Sequence, residues 1–189
     1  STELRREPRW RLLEDHPTAR LIYLSFMTSS LVSYTGFFQV PIPVFSYESM
    51  IPKDRLLIGL SALKKSGMIE FDEASETVRI DGWFNERRTP DNRNQLKASI
   101  KSYAQVHLPR NEIMARSVAE LTLAALKKSR TFRTKSNNPE ASHRHRINYV
   151  GEVLAFLEQG LHDIAGLETA LQEVFSGSDP RLRAYAKEI

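Results

Sequence analysis

The sequence predicts a mainly α-helical chain with one small β hairpin, and three observations carry that prediction. Apolar residues recur at helical spacing through most of the chain. Runs of β-branched and aromatic residues are short, confined to the neighbourhood of Phe37 and to Met68–Ile80. Prolines and glycines fall between these segments, where they punctuate turns.

Residues 1–16 read as an exposed basic arm, with an arginine-rich start at Glu3–Arg11. Pro17 to Leu31 reads as the first helix, with Thr18 available as its cap and Leu21, Ile22, Leu24 and Phe26 as its apolar face. Gly36-Phe37-Phe38-Gln39-Val40 is a short strand behind a glycine turn, stopped by Pro41 and Pro43. Pro43 to Met50 makes a two-turn helix. Pro52 then opens a third helix, Lys53 to Ser66, which Gly67 ends. Leu56, Leu60 and Leu63 line one face of it, while Ile58, Gly59, Ser61 and Ala62 are expected to face outward. Met68–Phe71 and Thr77–Ile80, joined through Asp72–Ser75, form the hairpin, and Trp83 and Phe84 are expected as core anchors. Helix, strand, helix, helix, hairpin is the order of a winged helix-turn-helix, assigned here to residues 17–84.

Two basic helices follow in residues 85–128, Asp91–Gln105 and Asn111–Lys128, capped by Asp91 and Asn111. Residues 129–146 contain no aliphatic side chain larger than alanine and read as a cationic flexible linker. Residues 147–189 begin with a long amphipathic helix through Phe175. Its stripe is Val150, Val153, Leu157, Ile164, Leu167, Leu171 and Val174, spaced for self-association, a partner helix, or docking on its own domain.

Charge is unevenly spread. Residues 85–146 carry 14 basic and 5 acidic groups, whereas residues 1–84 carry 10 and 11. A concentrated cation excess points to a polyanionic partner, because phosphate neutralisation supplies most non-specific affinity for nucleic acid. With no cysteine in the chain, disulfides, thiolate metal sites and cysteine nucleophiles are excluded. No apolar run approaches the ~20 residues of a membrane span, so a cytoplasmic protein outside the membrane is expected.

Four local patterns taken in succession resemble the winged-helix replication organisers and replication initiation proteins of phages, which often occur beside DnaD-like domains. They are Ala19-Arg20-Leu21-Ile22-Tyr23-Leu24, then Gly36-Phe37-Phe38-Gln39-Val40-Pro41, then Leu63-Lys64-Lys65-Ser66-Gly67-Met68-Ile69 running into Asp72, and finally Trp83-Phe84-Asn85 with Pro90-Asp91-Asn92. The resemblance spans residues 17–128. It implies binding of origin DNA and recruitment of a replicative helicase or helicase loader. In one respect the chain departs from winged helices that grip DNA with the wing: the tip offers Asp72, Glu73 and Glu76, which repel phosphate.

For duplex DNA, the third helix is the candidate reader of the major groove. Lys53 and Arg55 lead it, with Ser61, Lys64 and Lys65 farther along, although a purely structural role for this helix stays open. Arg87, Arg88, Arg93, Lys97 and Lys101 are candidate phosphate ligands, the last three sharing a face at spacings of four. Lys127, Lys128, Arg130, Arg133, Lys135, Arg144 and Arg146 could follow a DNA backbone or serve solubility alone. His143 and His145 make a poor metal site, having no carboxylate or cysteine nearby.

No phosphate-loop, dinucleotide, zinc-protease or serine-hydrolase motif occurs in the sequence, so a non-enzymatic protein without cofactor or metal is expected. A winged-helix transcriptional regulator is the alternative in the same class. A protein–protein scaffold that never touches DNA is the alternative outside it. A homodimer through the C-terminal helix would serve DNA binding by avidity.

Overall fold

The computed structural model describes residues 8–28, 34–84, 88–90, 93–103, 107–135, 155 and 164–176. Its helices are α1 (Pro8–Arg11), α2 (Pro17–Thr28), α3 (Ile42–Ser49), α4 (Lys53–Lys65), α5 (Arg93–Tyr103), α6 (Glu112–Lys135) and α7 (Leu167–Ser176). The strands are β1 (Phe37–Gln39), β2 (Ile69–Asp72) and β3 (Thr77–Ile80). The chain is mainly helical with a small three-stranded antiparallel sheet, and it divides into two compact units between Asp81 and Gly82.

In the first unit, α2 buries Ala19, Ile22, Tyr23 and Phe26, the i, i+3, i+4, i+7 set of one helical face. Leu21 and Leu24, expected on that face, turn outward and are 58% and 39% exposed. The helix begins at Pro17, where a missing N–H costs nothing, so Thr18 lies inside it and is not its cap. Phe26 is the centre of the core: its ring meets Phe38 edge-on at 5.2 Å and Phe45 at 5.4 Å.

Against α2 packs α4, whose Leu56, Leu60 and Leu63 are fully buried as expected. Gly59 and Ala62, expected outward, are buried too. A Cβ at Gly59 would collide with Cδ1 of Ile22 and meet the Ala19 backbone, so glycine is what lets the two helices approach. Gly59→Val is therefore expected to cost about 1–3 kcal/mol through overpacking, read as a lowered urea midpoint. An unchanged midpoint would mean that the two helices do not meet at this point.

The end of α4 follows from its last residues. Gly67 adopts φ 70°, donating its N–H to Lys64 O at 3.0 Å, and Met68 N–H reaches Leu63 O at 3.1 Å. This paired closure satisfies carbonyls the helix cannot, and it aims the chain straight into β2. The hairpin is as expected, but the strand before α3 is not separate: β1 pairs antiparallel with β3, giving the order β1-β3-β2. Val78 lies between Phe38 and Phe71 on one face of the sheet, and Arg79 lies between Phe37 and Glu70 on the other.

Arg79 is a buried cation, its side chain 6% exposed, and it pairs with Glu70 at 3.1 Å and Asp81 at 3.2 Å. Asp81 also receives Arg9 at 2.5 Å, while the same Arg9 nitrogen donates to Gly67 O at 2.6 Å. Residues 8–16 are therefore not the exposed arm expected from their charge. Leu13 is 1% exposed, Trp10 meets Tyr23 edge-on, and the Arg20 guanidinium lies 5.3 Å from the Trp10 ring centre. Two apolar anchors outweigh the basic character of this segment. Residues 1–7 lie outside the described residues.

In the second unit, Tyr103 of α5 is buried, with its hydroxyl 2.7 Å from the Ser117 hydroxyl on α6. Asn111 caps α6 as expected, accepting the Met114 N–H at 3.0 Å. Helix α6 then runs past Lys128 to Lys135, into the stretch expected to be linker. Once a helix is nucleated each added residue gains a bond, so no aliphatic core is needed to extend it. Residues 136–146 lie outside the described residues.

The single helix expected over 147–175 is interrupted. Gly166, at φ 76°, forms a turn with Ile164 and Ala165, and α7 starts only at Leu167. Helix α7 packs on α6, and Ile164, Leu167 and Leu171 are buried within their own chain, while Val174 is half-buried. Of the three alternatives, self-association, a partner helix or docking within its own chain, this part of the stripe takes the last. Val150, Val153 and Leu157 lie outside the described residues.

Trp83 and Phe84 are half-buried and do not serve as core anchors; the face of Trp83 instead carries the Arg88 guanidinium at 4.0 Å. Among the described residues, no helix is long and apolar enough to cross a membrane.

Candidate nucleic-acid interface

Helix α4 puts its apolar residues on α2 and leaves a polar face outside. Lys53, Arg55, Ser61, Lys64 and Lys65 are all exposed, as their assignment to an interface requires. Asp54 is the one carboxylate in the helix, set in its first turn where the helix dipole favours it. Cations at both ends thus bracket a centre without charge, occupied by Ile58 and Ser61.

Lys64 has a second task. Its ammonium donates to Phe71 O at 3.0 Å, tying the end of α4 to β2. It also contributes, as a smaller effect, to the electrostatics of Asp72. The Asp72 carboxyl is held below its ordinary value of 3.8, first by the Ser75 hydroxyl, then by the Ser75 and Ala74 backbone N–H groups and by Lys64, against an opposing effect of burial. The turn between β2 and β3 is therefore an acidic one, held by Ser75 on Asp72, in which Glu73 is exposed and Glu76 holds φ 51°.

A depressed carboxyl contributes stability above its unfolded value and loses that contribution as pH falls through its folded value. Wild type and Asp72→Asn are accordingly expected to differ in hairpin stability at neutral pH and to converge below pH 3.8. The carboxyl carbon shift of Asp72, followed by NMR, checks it. A midpoint at or above the ordinary value would contradict the geometry.

On the second unit, Lys97 and Lys101 are exposed on the outer face of α5, opposite its buried Leu96 and Tyr103. No ion pair joins either lysine to another described residue. Arg88 has its guanidinium carbon 4.0 Å from the centre of the Trp83 ring and is partly committed there. Arg93 is the first residue of α5, but its side chain lies outside the described residues, as does the whole of Arg87. Lys128, read as part of the linker, donates to Thr89 O at 2.9 Å and is internal architecture. Lys127 is exposed, and the side chains of Arg130, Arg133 and Lys135 with all of Arg144 and Arg146 lie outside the described residues.

Sequence reasoning passed over several exposed apolar residues near the α3–α4 turn. Val44 is 53%, Tyr47 87% and Met50 91% exposed, beside Ile58, which was expected outward and is 60% exposed. Met50 sits at φ 55° and closes α3 with its N–H on Tyr47 O. The signal available in sequence was the shortness of α3, which Pro41 precedes and Pro52 follows. Among the described residues, no group of three or more His, Asp or Glu is gathered to hold a metal ion, and His143 and His145 lie outside them.

Comparison of the chain with protein-family models, with curated proteins and with solved structures finds no match.

Proposed function

We propose that the chain is a duplex-DNA-binding protein of the cytoplasm, without catalytic centre or cofactor, whose first unit acts as a winged helix in replication initiation. One observation carries the DNA reading: the outer faces of α4 and of α5 expose Lys53, Arg55, Lys64, Lys65, Lys97 and Lys101 while Asp54 alone opposes them on α4. A helix whose free side chains are cationic at its ends fits a groove lined by phosphates. The winged-helix reading is supported by the order α2, β1, α3, α4, β2, β3 with β1 added to the hairpin. The role in replication, and a helicase or its loader as partner, rest on the four sequence patterns that resemble phage replication organisers.

Titration of the full chain onto a fluorescent duplex at several salt concentrations tests the DNA reading. Affinity is expected to fall steeply with salt; failure to bind at low salt overturns it. Capture of a replicative helicase or its loader supports replication, whereas protection confined to a promoter supports a transcriptional regulator. The protein–protein scaffold is favoured by the acidic turn at Asp72, Glu73 and Glu76 and by exposed Tyr47 and Met50. Self-association through the C-terminal stripe would fall to Val150, Val153 and Leu157, since Ile164, Leu167 and Leu171 are already covered.

A further inference from the structure

The outer face of α4 has a chemistry more particular than a cationic surface. Asp54, Ile58, Ser61 and Lys65 follow one another at spacings of four, three and four, so they form a single stripe along the helix. Ile58 stands in the middle of it, 60% exposed, with Leu56 and Leu60 turned the opposite way into the core. A lone exposed isoleucine is ordinary. This one lies between Lys53 and Arg55 at one end and Lys64 and Lys65 at the other.

The spacing has a geometric consequence. From Lys53 to Lys65 the helix rises about 18 Å, more than the ~12 Å width of the major groove, so its two ends reach past the base edges to the groove walls. Cations at the two ends then meet the phosphates on either side, and the uncharged centre faces the base edges. At that centre the helix offers no long donor of the kind that grips guanine. It offers a branched aliphatic side chain and one hydroxyl. The base-edge feature in the major groove that such an aliphatic group complements is the 5-methyl group of thymine.

Resting on the DNA reading above, we infer that α4 recognises duplex sites containing thymine at the base pairs beneath its centre, with Ile58 contacting the 5-methyl group and Lys53, Arg55 and Lys65 holding the flanking phosphates. Ile58 is thus a specificity residue, and the terminal cations set register without choosing sequence.

The test uses the full chain and a duplex library with a randomised 20-base-pair core, selected at moderate salt. In the enriched duplex each thymine is then replaced singly by deoxyuridine, which removes the methyl group and nothing else from the base. Wild type is expected to lose about fourfold in affinity at one or two positions, the worth of one buried methyl group. Ile58→Ala, a change at an exposed helix position to a residue that favours helix, is expected to bind thymine and uracil versions alike, as weakly as wild type binds the uracil form. Uniform indifference of wild type to the replacement overturns the inference while leaving DNA binding intact, and so does methyl sensitivity that persists in Ile58→Ala. Binding of the library without enrichment of any sequence overturns it as well. No binding of the unselected library at low salt overturns the DNA reading itself.

Discussion

Phe26→Ala is expected to unfold the first unit at room temperature or leave it on the edge of unfolding. The ring is 1% exposed and stands between Phe38 and Phe45, so truncation removes two aromatic contacts as well as the buried volume. Deleting a buried phenylalanine side chain costs about 3–5 kcal/mol. A unit of roughly 80 residues has about 4–12 kcal/mol to lose, so the two quantities are of the same size. The loss also falls where α2, β1 and α3 meet, since the Phe26 ring is what Phe38 and Phe45 both touch. Phe26→Leu keeps most of the volume and is expected to cost about 1–2 kcal/mol, which separates packing from mere presence of an aromatic ring. Urea denaturation followed by circular dichroism gives the magnitude, and amide spectra show whether the lost dispersion belongs to residues 8–81. A Phe26→Ala midpoint within experimental error of wild type would mean that this is not the core.

How far such a core is legible in sequence depends on whether its cause is local. Helix α4 was legible because everything that makes it is within its own residues: Pro52 before it, three leucines on one face, Gly67 at a positive φ after it. The hairpin was legible for the same reason. Addition of β1 to β3 was not, since Phe37 and Arg79 are joined only by the tertiary fold and no short-range pattern announces their pairing. In α2 the sequence supplies more apolar residues than one face can bury, and only the position of α4 decides that Ile22 goes in while Leu21 stays out. Gly59 read as a surface residue because a glycine has no side chain to declare a face; the closeness of Ile22 is what gives it a role.

The C-terminal stripe shows the same limit from the other direction. Apolar residues keep their three-four spacing straight through Gly166, because a turn can preserve spacing while redirecting the chain. Periodicity found the buried residues Ile164, Leu167 and Leu171 correctly but could not say what buries them. Helix α6 is that surface within the same unit. At the candidate interface, charge was legible and commitment was not: Lys64, Lys128, Arg9 and Arg88 look equally free in sequence, yet each is already tied to a carbonyl, a carboxylate or a ring.

Only cations without an internal task can be removed without disturbing the fold. Lys53, Arg55 and Lys65 on α4 meet the condition, as do Lys97 and Lys101 on α5. Each neutralised phosphate contributes about 0.9 to the slope of log affinity against log salt. Replacing Lys53, Arg55 and Lys65 together by Ala is thus expected to flatten the slope by about 2.7, and replacing Lys97 and Lys101 by about 1.8. The two sets should differ in kind as well. Loss of the α5 pair should weaken all duplexes equally, whereas loss of the α4 set should also blur whatever sequence preference exists, because it releases the helix from its register over the bases. Lys64→Ala is excluded from the set, for it would loosen Phe71 and confuse binding with hairpin stability. If both variants bind with the wild-type affinity and slope, phosphate is not what these cations meet, and exposed Tyr47 and Met50 become the stronger argument, for a surface that meets protein.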